Sequence, residues 1–84
     1  MDSEVYNYEL DLINKELIGV MDKILVYEEK HTMKFYQFER IMFDDNDIDG
    51  ECWEDYFDWK SLAHRKKMLK SKINQLKKLF QQQE

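Results

Sequence analysis

The chain lacks proline altogether, and its 84 residues include only two glycines and one cysteine. Few positions therefore interrupt a helix, and the abundant Glu, Lys and Leu are typical of long helices. The lone cysteine, Cys52, excludes an internal disulfide and fits a reducing compartment. No apolar run approaches the ~18 residues of a membrane span, and the acidic start is unlike a signal peptide. We expect one cytoplasmic, all-α domain with no membrane segment.

Charge is unevenly distributed along this acidic chain, whose net charge is −5. Residues 44–58 carry eight carboxylates and no Lys or Arg, whereas residues 60–78 carry eight basic residues and no carboxylate. Acids near a helix N-terminus and bases toward its C-terminus suit the helix dipole. The basic stretch Arg65–Lys78 could bind phosphates, but its residues spread around the predicted helix. We expect a solvated or intersubunit face there, and no nucleic-acid partner.

Helical periodicity predicts a first helix over residues 3–30. Its apolar residues alternate at spacings of three and four, which is the pattern of a coiled-coil seam. The seam consists of Tyr6, Leu10, Ile13, Leu17, Val20, Ile24 and Tyr27. A shorter stripe of Ile18, Met21 and Leu25 runs beside it. Gly19, in the middle of this helix, either allows another backbone to approach or is merely tolerated.

Two further helices are predicted. Thr32 is placed as the N-cap of a short helix over residues 33–43, too short to be stable without docking. Residues 44–50 form an acidic loop, because Asp, Asn and Gly favour turns. A long helix over residues 51–82 repeats the seam pattern, broken only by Lys66. That second seam consists of Trp59, Leu62, Leu69, Ile73, Leu76 and Phe80. Two long helices with matching seams predict a coiled-coil-like antiparallel hairpin with a short connecting helix.

The start of the third helix is apolar on two opposite sides. Trp53, Tyr56 and Phe57 lie on one side, and Trp59 and Leu62 lie on the other. A two-helix hairpin covers only one side of each helix, so the remaining stripes must meet the connecting helix, another copy or a different protein. We expect a homo-oligomer and a protein partner. Aromatic residues rimmed by charge are also the types that dominate binding interfaces, although small bundles often bury them as core.

Asp45, Asp47, Asp49 and Gly50 match the first half of an EF-hand calcium loop. The second half fails, because the position of the bidentate glutamate is occupied by Tyr56. An acidic turn is therefore favoured over a calcium site, which stays an alternative. His31, His64 and Cys52 are too few and too scattered for a zinc site or a nucleophile pair. We expect no cofactor and no enzymatic activity.

Residues 27–79 resemble a group of small prokaryotic helical proteins, found in archaea and cyanobacteria. The matching stretches are Tyr27-Glu28-Glu29-Lys30, Thr32-Met33-Lys34-Phe35, Phe38-Glu39 and Trp53-Glu54-Asp55-Tyr56-Phe57-Asp58-Trp59-Lys60-Ser61-Leu62, followed by leucines. The group's pattern has a YEEK connector, an acidic linker, a (D/E)DYFEW stretch and a charged coiled-coil tail. This chain departs from it at His31-Thr32, where the pattern has an aromatic residue and a glycine.

Members of that group are commonly encoded beside small toxin genes and are taken as antitoxins. The resemblance implies a stoichiometric inhibitor of a toxin, plausibly a ribonuclease, that acts by covering a basic cleft. The expected partner-binding residues are Trp53, Asp55, Tyr56, Phe57, Asp58, Trp59 and Leu62. A calcium-binding hairpin and a structural coiled-coil assembly protein remain the competing interpretations.

Overall fold

The computed structural model describes residues 3–44 and 50–82. They form three α-helices joined by short connections: α1 (Ser3–His31), α2 (Phe35–Asp44) and α3 (Gly50–Gln82). The molecule is elongated, with extents of 56 × 19 × 17 Å. The prediction of an all-α chain with two long helices and a short one is confirmed, and the helix ends differ from the expected ones by two residues at most.

α1 and α3 pack along their length. Tyr6 near the start of α1 stacks on Phe80 near the end of α3, with ring centroids 4.2 Å apart. Further along α1, Glu16 Oε1 accepts a hydrogen bond from Nε of Arg65, a residue of α3, at 2.9 Å. Every seam residue predicted for α1 is buried or half-buried, and so is every one predicted for α3. Lys66, the polar interruption of the second seam, is half-buried with them.

The core lies at the closed end of the molecule, where α2 joins the two long helices. Its buried residues come from all three helices: Val20, Ile24, Phe38, Met42, Tyr56, Trp59 and Leu69. α2 supplies Phe38 and Met42, which are 4% and 2% exposed. A ten-residue helix is marginal in isolation, so this docking stabilises it.

The turn between α1 and α2 differs from the predicted N-cap at Thr32. Thr32 instead ends α1 in the left-handed region, with φ of 56°. The amide of Met33 donates to the carbonyl of Glu28 at 3.3 Å, which is the bond that closes a Schellman motif. Lys34 is the cap of α2, because its amide donates to Gln37 Oε1 at 3.0 Å, as in one half of a capping box.

At the open end, where α1 begins and α3 ends, no third helix lies over the pair within the described residues. The seam there is only half-buried, at Tyr6, Leu10, Ile13 and Leu17. Several apolar side chains also point outward from α1: Val5, Tyr8, Leu12, Ile18, Met21, Leu25 and Val26. In the part of the chain that the structure describes, no helix has the length and apolarity needed to cross a bilayer.

Candidate functional site

On each of the two apolar sides of the first turns of α3, one aromatic side chain is fully packed within the chain. α1 and α2 enclose Trp59, which is fully buried and lies 5.8 Å from the ring of Tyr27 and 5.2 Å from that of Phe38. Tyr56, on the other side, is 1% exposed and stacks on Phe35 of α2. Trp59 and Tyr56 are thus core residues and do not lie on the expected docking surface. The connecting helix supplies the cover that the two long helices alone could not.

Tyr56 is held in the core by its hydroxyl group. The hydroxyl donates to Glu39 Oε2 at 2.8 Å, which ties α3 to α2. Burial, and then the bond to Glu39, raises the pKa of Tyr56. The Lys60 ammonium lies 5.6 Å from the centre of the same ring, within the range of a cation–π contact. Tyr56 therefore fixes the position of the neighbouring side chains of α3.

Asp55 is the centre of an ion-pair cluster at the closed end. Its Oδ2 lies 2.8 Å from Lys30 Nζ and 2.8 Å from His31 Nε2, and only 13% of its side chain is exposed. The hydrogen bond from Lys30, more than that from His31, holds the pKa of Asp55 below its ordinary value despite partial burial. Lys30 also reaches Glu51 at 3.3 Å. These contacts occupy Asp55 inside the chain and leave little of it for a partner.

The His31 ring is part of the same end of the core. It lies 4.3 Å from the ring of Phe38 and 5.8 Å from that of Trp59, centroid to centroid. His31 and Cys52 are half-buried, and His64 is exposed. His31 thus links α1 to the other two helices through stacking and through Asp55.

Asp58 differs from Asp55, because it is exposed. Its Oδ2 accepts a hydrogen bond from the Tyr27 hydroxyl at 3.4 Å. Burial and the nearby negative charge of Asp58 raise the pKa of Tyr27. Leu62 is half-buried in the seam one turn further along. Of the two predicted acidic contacts, Asp58 is therefore the one that presents a carboxylate to solvent.

Three aromatic side chains form an exposed group, here named the aromatic patch: Phe43, Trp53 and Phe57. Phe43 and Phe57 are 64% and 61% exposed, and Trp53 lies half-buried between them. The ring of Trp53 is 6.2 Å from that of Phe43 and 5.9 Å from that of Phe57. Exposed Asp44 and Glu54 follow Phe43 and Trp53 in the chain. The patch therefore combines apolar rings with carboxylates.

Phe43 is the member of the patch that the sequence analysis did not select. Its helix docks on the core through Phe35, Phe38 and Met42, and the rings of the first two lie against that of Trp59. Phe43 follows Met42 directly, so it points away from that buried side and meets Tyr56 edge-on at 5.7 Å. The sequence signal that could have identified Phe43 is its position: it is an aromatic residue that lies off the apolar side through which its helix docks.

The calcium alternative depends on residues that are only partly described. Asp45, Asp47 and Asp49 lie outside the described residues. α3 begins at Gly50, however, and Tyr56 is a core residue within it, so residues 50–56 do not have the conformation of the second half of an EF-hand loop. Residues 3–44 and 50–82 hold no group of three His, Cys, Asp or Glu side chains placed to bind a metal ion.

The site as a whole is a surface built on the first turns of α3. Tyr56 and Trp59 anchor α3, and the aromatic patch stands on that base with carboxylates beside it. Such a surface suits a partner that offers both apolar and basic side chains. Comparison of the chain with protein-family models, with curated proteins and with solved structures finds no match.

Proposed function

We propose that this protein is a non-enzymatic interaction module that binds and neutralises a small toxin, such as a ribonuclease, in the cytoplasm. The supporting observation is that Phe43 and Phe57 remain 64% and 61% exposed although all three helices contribute to a shared core. Exposed aromatic side chains grouped around a half-buried tryptophan are characteristic of the centre of a protein interface. The resemblance to antitoxins of the connector and the acidic-aromatic stretch agrees with this proposal.

The mechanism we propose is occlusion of the toxin's cleft. A toxin that cuts RNA needs a basic surface for phosphates, and the exposed carboxylates Glu54 and Asp58 complement such a surface. The aromatic patch supplies the contacts that lose water on binding. Asp55, Tyr56 and Trp59 contribute indirectly, because they fix the helix that carries the patch. The surface needs no folding on binding, which keeps the entropic cost of association low.

The architecture in this proposal is an antiparallel hairpin that associates with further copies. The contacts of Tyr6 with Phe80 and of Glu16 with Arg65 support the antiparallel direction. The exposed apolar side chains Val5, Leu12 and Val26 of α1 support self-association, because a second copy would cover them. A structural coiled-coil assembly protein would share these features, and the aromatic patch is what favours a distinct client.

The proposal is tested by the growth of cells that produce the toxin and by the affinity of the chain for the purified toxin. The product of the gene adjacent to the one encoding this chain is produced alone and together with the chain. Growth arrest that the chain relieves is expected, with tight binding of the two purified proteins in a calorimetric titration. Absence of toxicity, or toxicity that the chain does not relieve, would contradict the antitoxin role.

Variants then locate the surface. Phe43→Ser and Phe57→Ser together remove two aromatic anchors, and we expect binding to weaken by at least about 2 kcal/mol, which is roughly a thirtyfold rise in Kd. Tyr36→Ser is the matched control, since Tyr36 is a 71% exposed aromatic residue of α2 outside the patch. Equal losses in the control, or no loss in the double variant, would reject the aromatic patch as the binding surface.

A further inference from the structure

One side of α1 carries an apolar stripe that lies outside the buried core. Val5, Leu12, Gly19 and Val26 recur every seven residues, and the three side chains are 47%, 49% and 62% exposed. α2 does not cover this stripe. It approaches α1 on a different side, where Gln37 lines a groove with Leu25 and Glu28. The stripe of Val5, Leu12, Gly19 and Val26 is named the outer stripe.

The packing of a single chain does not require glycine at position 19. A Cβ added to Gly19 would meet nothing within 4 Å, so alanine would fit. Glycine in the middle of a helix lowers helix stability relative to alanine. Its position midway between Leu12 and Val26 on an exposed apolar stripe is instead where a second helix could cross at close distance.

The charges on both sides of the outer stripe are self-complementary. On one side, at seven-residue spacing, lie Glu9, Glu16, Lys23 and Lys30. On the other side lie Lys15 and Asp22. If a second α1 crosses antiparallel with Gly19 at the twofold axis, Glu16 meets Lys23 and Glu9 meets Lys30 of the other copy. Lys15 meets Asp22 on the opposite side, and Leu12 meets Val26 between the two rows.

All of these pairs lie at nearly the same height along the two helices. Leu12 and Val26 are each seven residues from Gly19, while Lys15 and Asp22 are four and three residues away. The mismatch within a charged pair is one residue, or about 1.5 Å along the axis. An antiparallel crossing at Gly19 therefore brings the apolar residues of the two copies into contact and pairs opposite charges in both rows.

From this pattern we infer that the outer stripe of α1 is the interface of a twofold symmetric homodimer, with Gly19 of both copies at the crossing. The inference rests on the self-association in the proposed function and names its surface. Each contact occurs twice, as symmetry requires. Glu16 and Lys30 already bind Arg65 and Asp55 in their own chain, so those intramolecular pairs extend into the dimer as networks.

Charge exchange at Lys15 and Asp22 gives the sharpest test. Within the described residues Lys15 pairs only with Asp11 of its own helix, at 3.0 Å, and the side chains of Lys15 and Asp11 are 71% and 59% exposed. Asp22 is exposed as well, so the fold tolerates both substitutions. Sedimentation equilibrium should show a dimer for the unmodified chain. Lys15→Asp and Asp22→Lys should each raise the dimer Kd by about tenfold, because every substitution acts twice. The double variant should return to within about threefold of the unmodified chain.

Lys67→Asp is the matched control for Lys15→Asp, since it changes the net charge by the same amount at an exposed residue of α3. It should leave the dimer Kd unchanged. A chain that is monomeric at all concentrations would overturn the inference. A double variant no better than the single ones would also overturn it, because the loss would then not come from pairing between these two residues.

Gly19→Gln should affect the stability of the monomer and the affinity of the dimer in opposite directions. Glutamine is a better helix former and meets open space in the single chain, so the thermal stability of the dilute monomer should rise. The same side chain at the crossing keeps the helices apart, and the dimer Kd should rise by at least about tenfold. A dimer that tolerates glutamine at this position would exclude a crossing at Gly19.

Disulfide trapping fixes the direction of the helices. In a Cys52→Ala background, Leu12→Cys should link to a separately produced Val26→Cys chain and not to itself, since antiparallel copies hold the two Leu12 positions about 21 Å apart. Linking of Leu12→Cys to itself would demonstrate parallel pairing and overturn the inference. An unmodified chain that stays monomeric yet binds the toxin would reject this interface alone, whereas an unmodified chain that forms the dimer but binds no toxin would reject the proposed function alone.

Discussion

Replacing Thr32 by glycine should stabilise the protein. Thr32 has a φ of 56°, in the left-handed region that costs an L-residue about 1–2 kcal/mol and that a β-branched side chain adopts with particular difficulty. Glycine removes that penalty but adds roughly 0.5–1 kcal/mol of backbone entropy to the unfolded chain. The net gain is therefore about 0.5–1 kcal/mol, which for a domain of this size raises Tm by several degrees, at ~4–8 °C per kcal/mol.

Thermal and urea unfolding followed by circular dichroism at one fixed protein concentration measures this gain. Thr32→Ala is the control, because it keeps a Cβ in the left-handed conformation and should recover little of the gain. The Met33–Glu28 bond that closes the turn does not involve the side chain at residue 32, so both variants retain it. If Thr32→Ala instead lost about 1 kcal/mol, as expected when an N-cap hydroxyl is removed, Thr32 would be an N-cap and not the residue that ends α1.

Three further variants test the core, the ion pairs and the surface. Trp59→Ala should cost about 3–5 kcal/mol, a large share of the ~4–13 kcal/mol expected for a chain of this length, and urea unfolding would show it. The carboxylate of Asp55, whose pKa is lowered, stabilises the fold above its ordinary pKa of 3.8, and this contribution should be lost as the pH falls below about 4. Asp55→Asn should flatten that part of the stability–pH curve, and an unchanged slope would contradict the ion-pair cluster. Phe57→Ser should change stability by less than about 0.5 kcal/mol, whereas a larger loss would place Phe57 in the core.

The sequence predicted the long helices and their interior well. The seam of α1, from Tyr6 to Tyr27, follows a heptad pattern, and this pattern is typical of a helix that packs against another helix. The same reasoning identified the seam of α3, including the break at Lys66. These predictions succeeded because periodicity over many residues is a strong signal, set by the geometry of the helix itself.

The turn at Thr32 could not be predicted in the same way. Threonine is a common N-cap, and nothing local distinguishes that role from the C-terminal position that it takes. The left-handed conformation is imposed by the packing of α2 onto the core, which overrides the preference of a β-branched residue. The glycine at this position in the antitoxin-like pattern is what the observed φ would favour.

The surface was predicted only in part for a related reason. Periodicity shows that Tyr56 and Phe57 lie near each other on α3, but it does not show where a short connecting helix will dock. α2 covers Tyr56 and leaves Phe57 exposed, and it also adds Phe43 to the exposed group. Which aromatic residues become core depends on the tertiary position of α2, which no local pattern determines.

The most direct test of this account is the accessibility of the two tryptophans, measured by acrylamide quenching of single-tryptophan variants. Trp53→Phe leaves only the buried Trp59, and its fluorescence should resist quenching. Trp59→Phe leaves only the half-buried Trp53 of the aromatic patch, and its fluorescence should be quenched readily. Equal and strong quenching of both would mean that α2 does not close over α3, and the aromatic patch would not be the surface that the chain leaves for a partner.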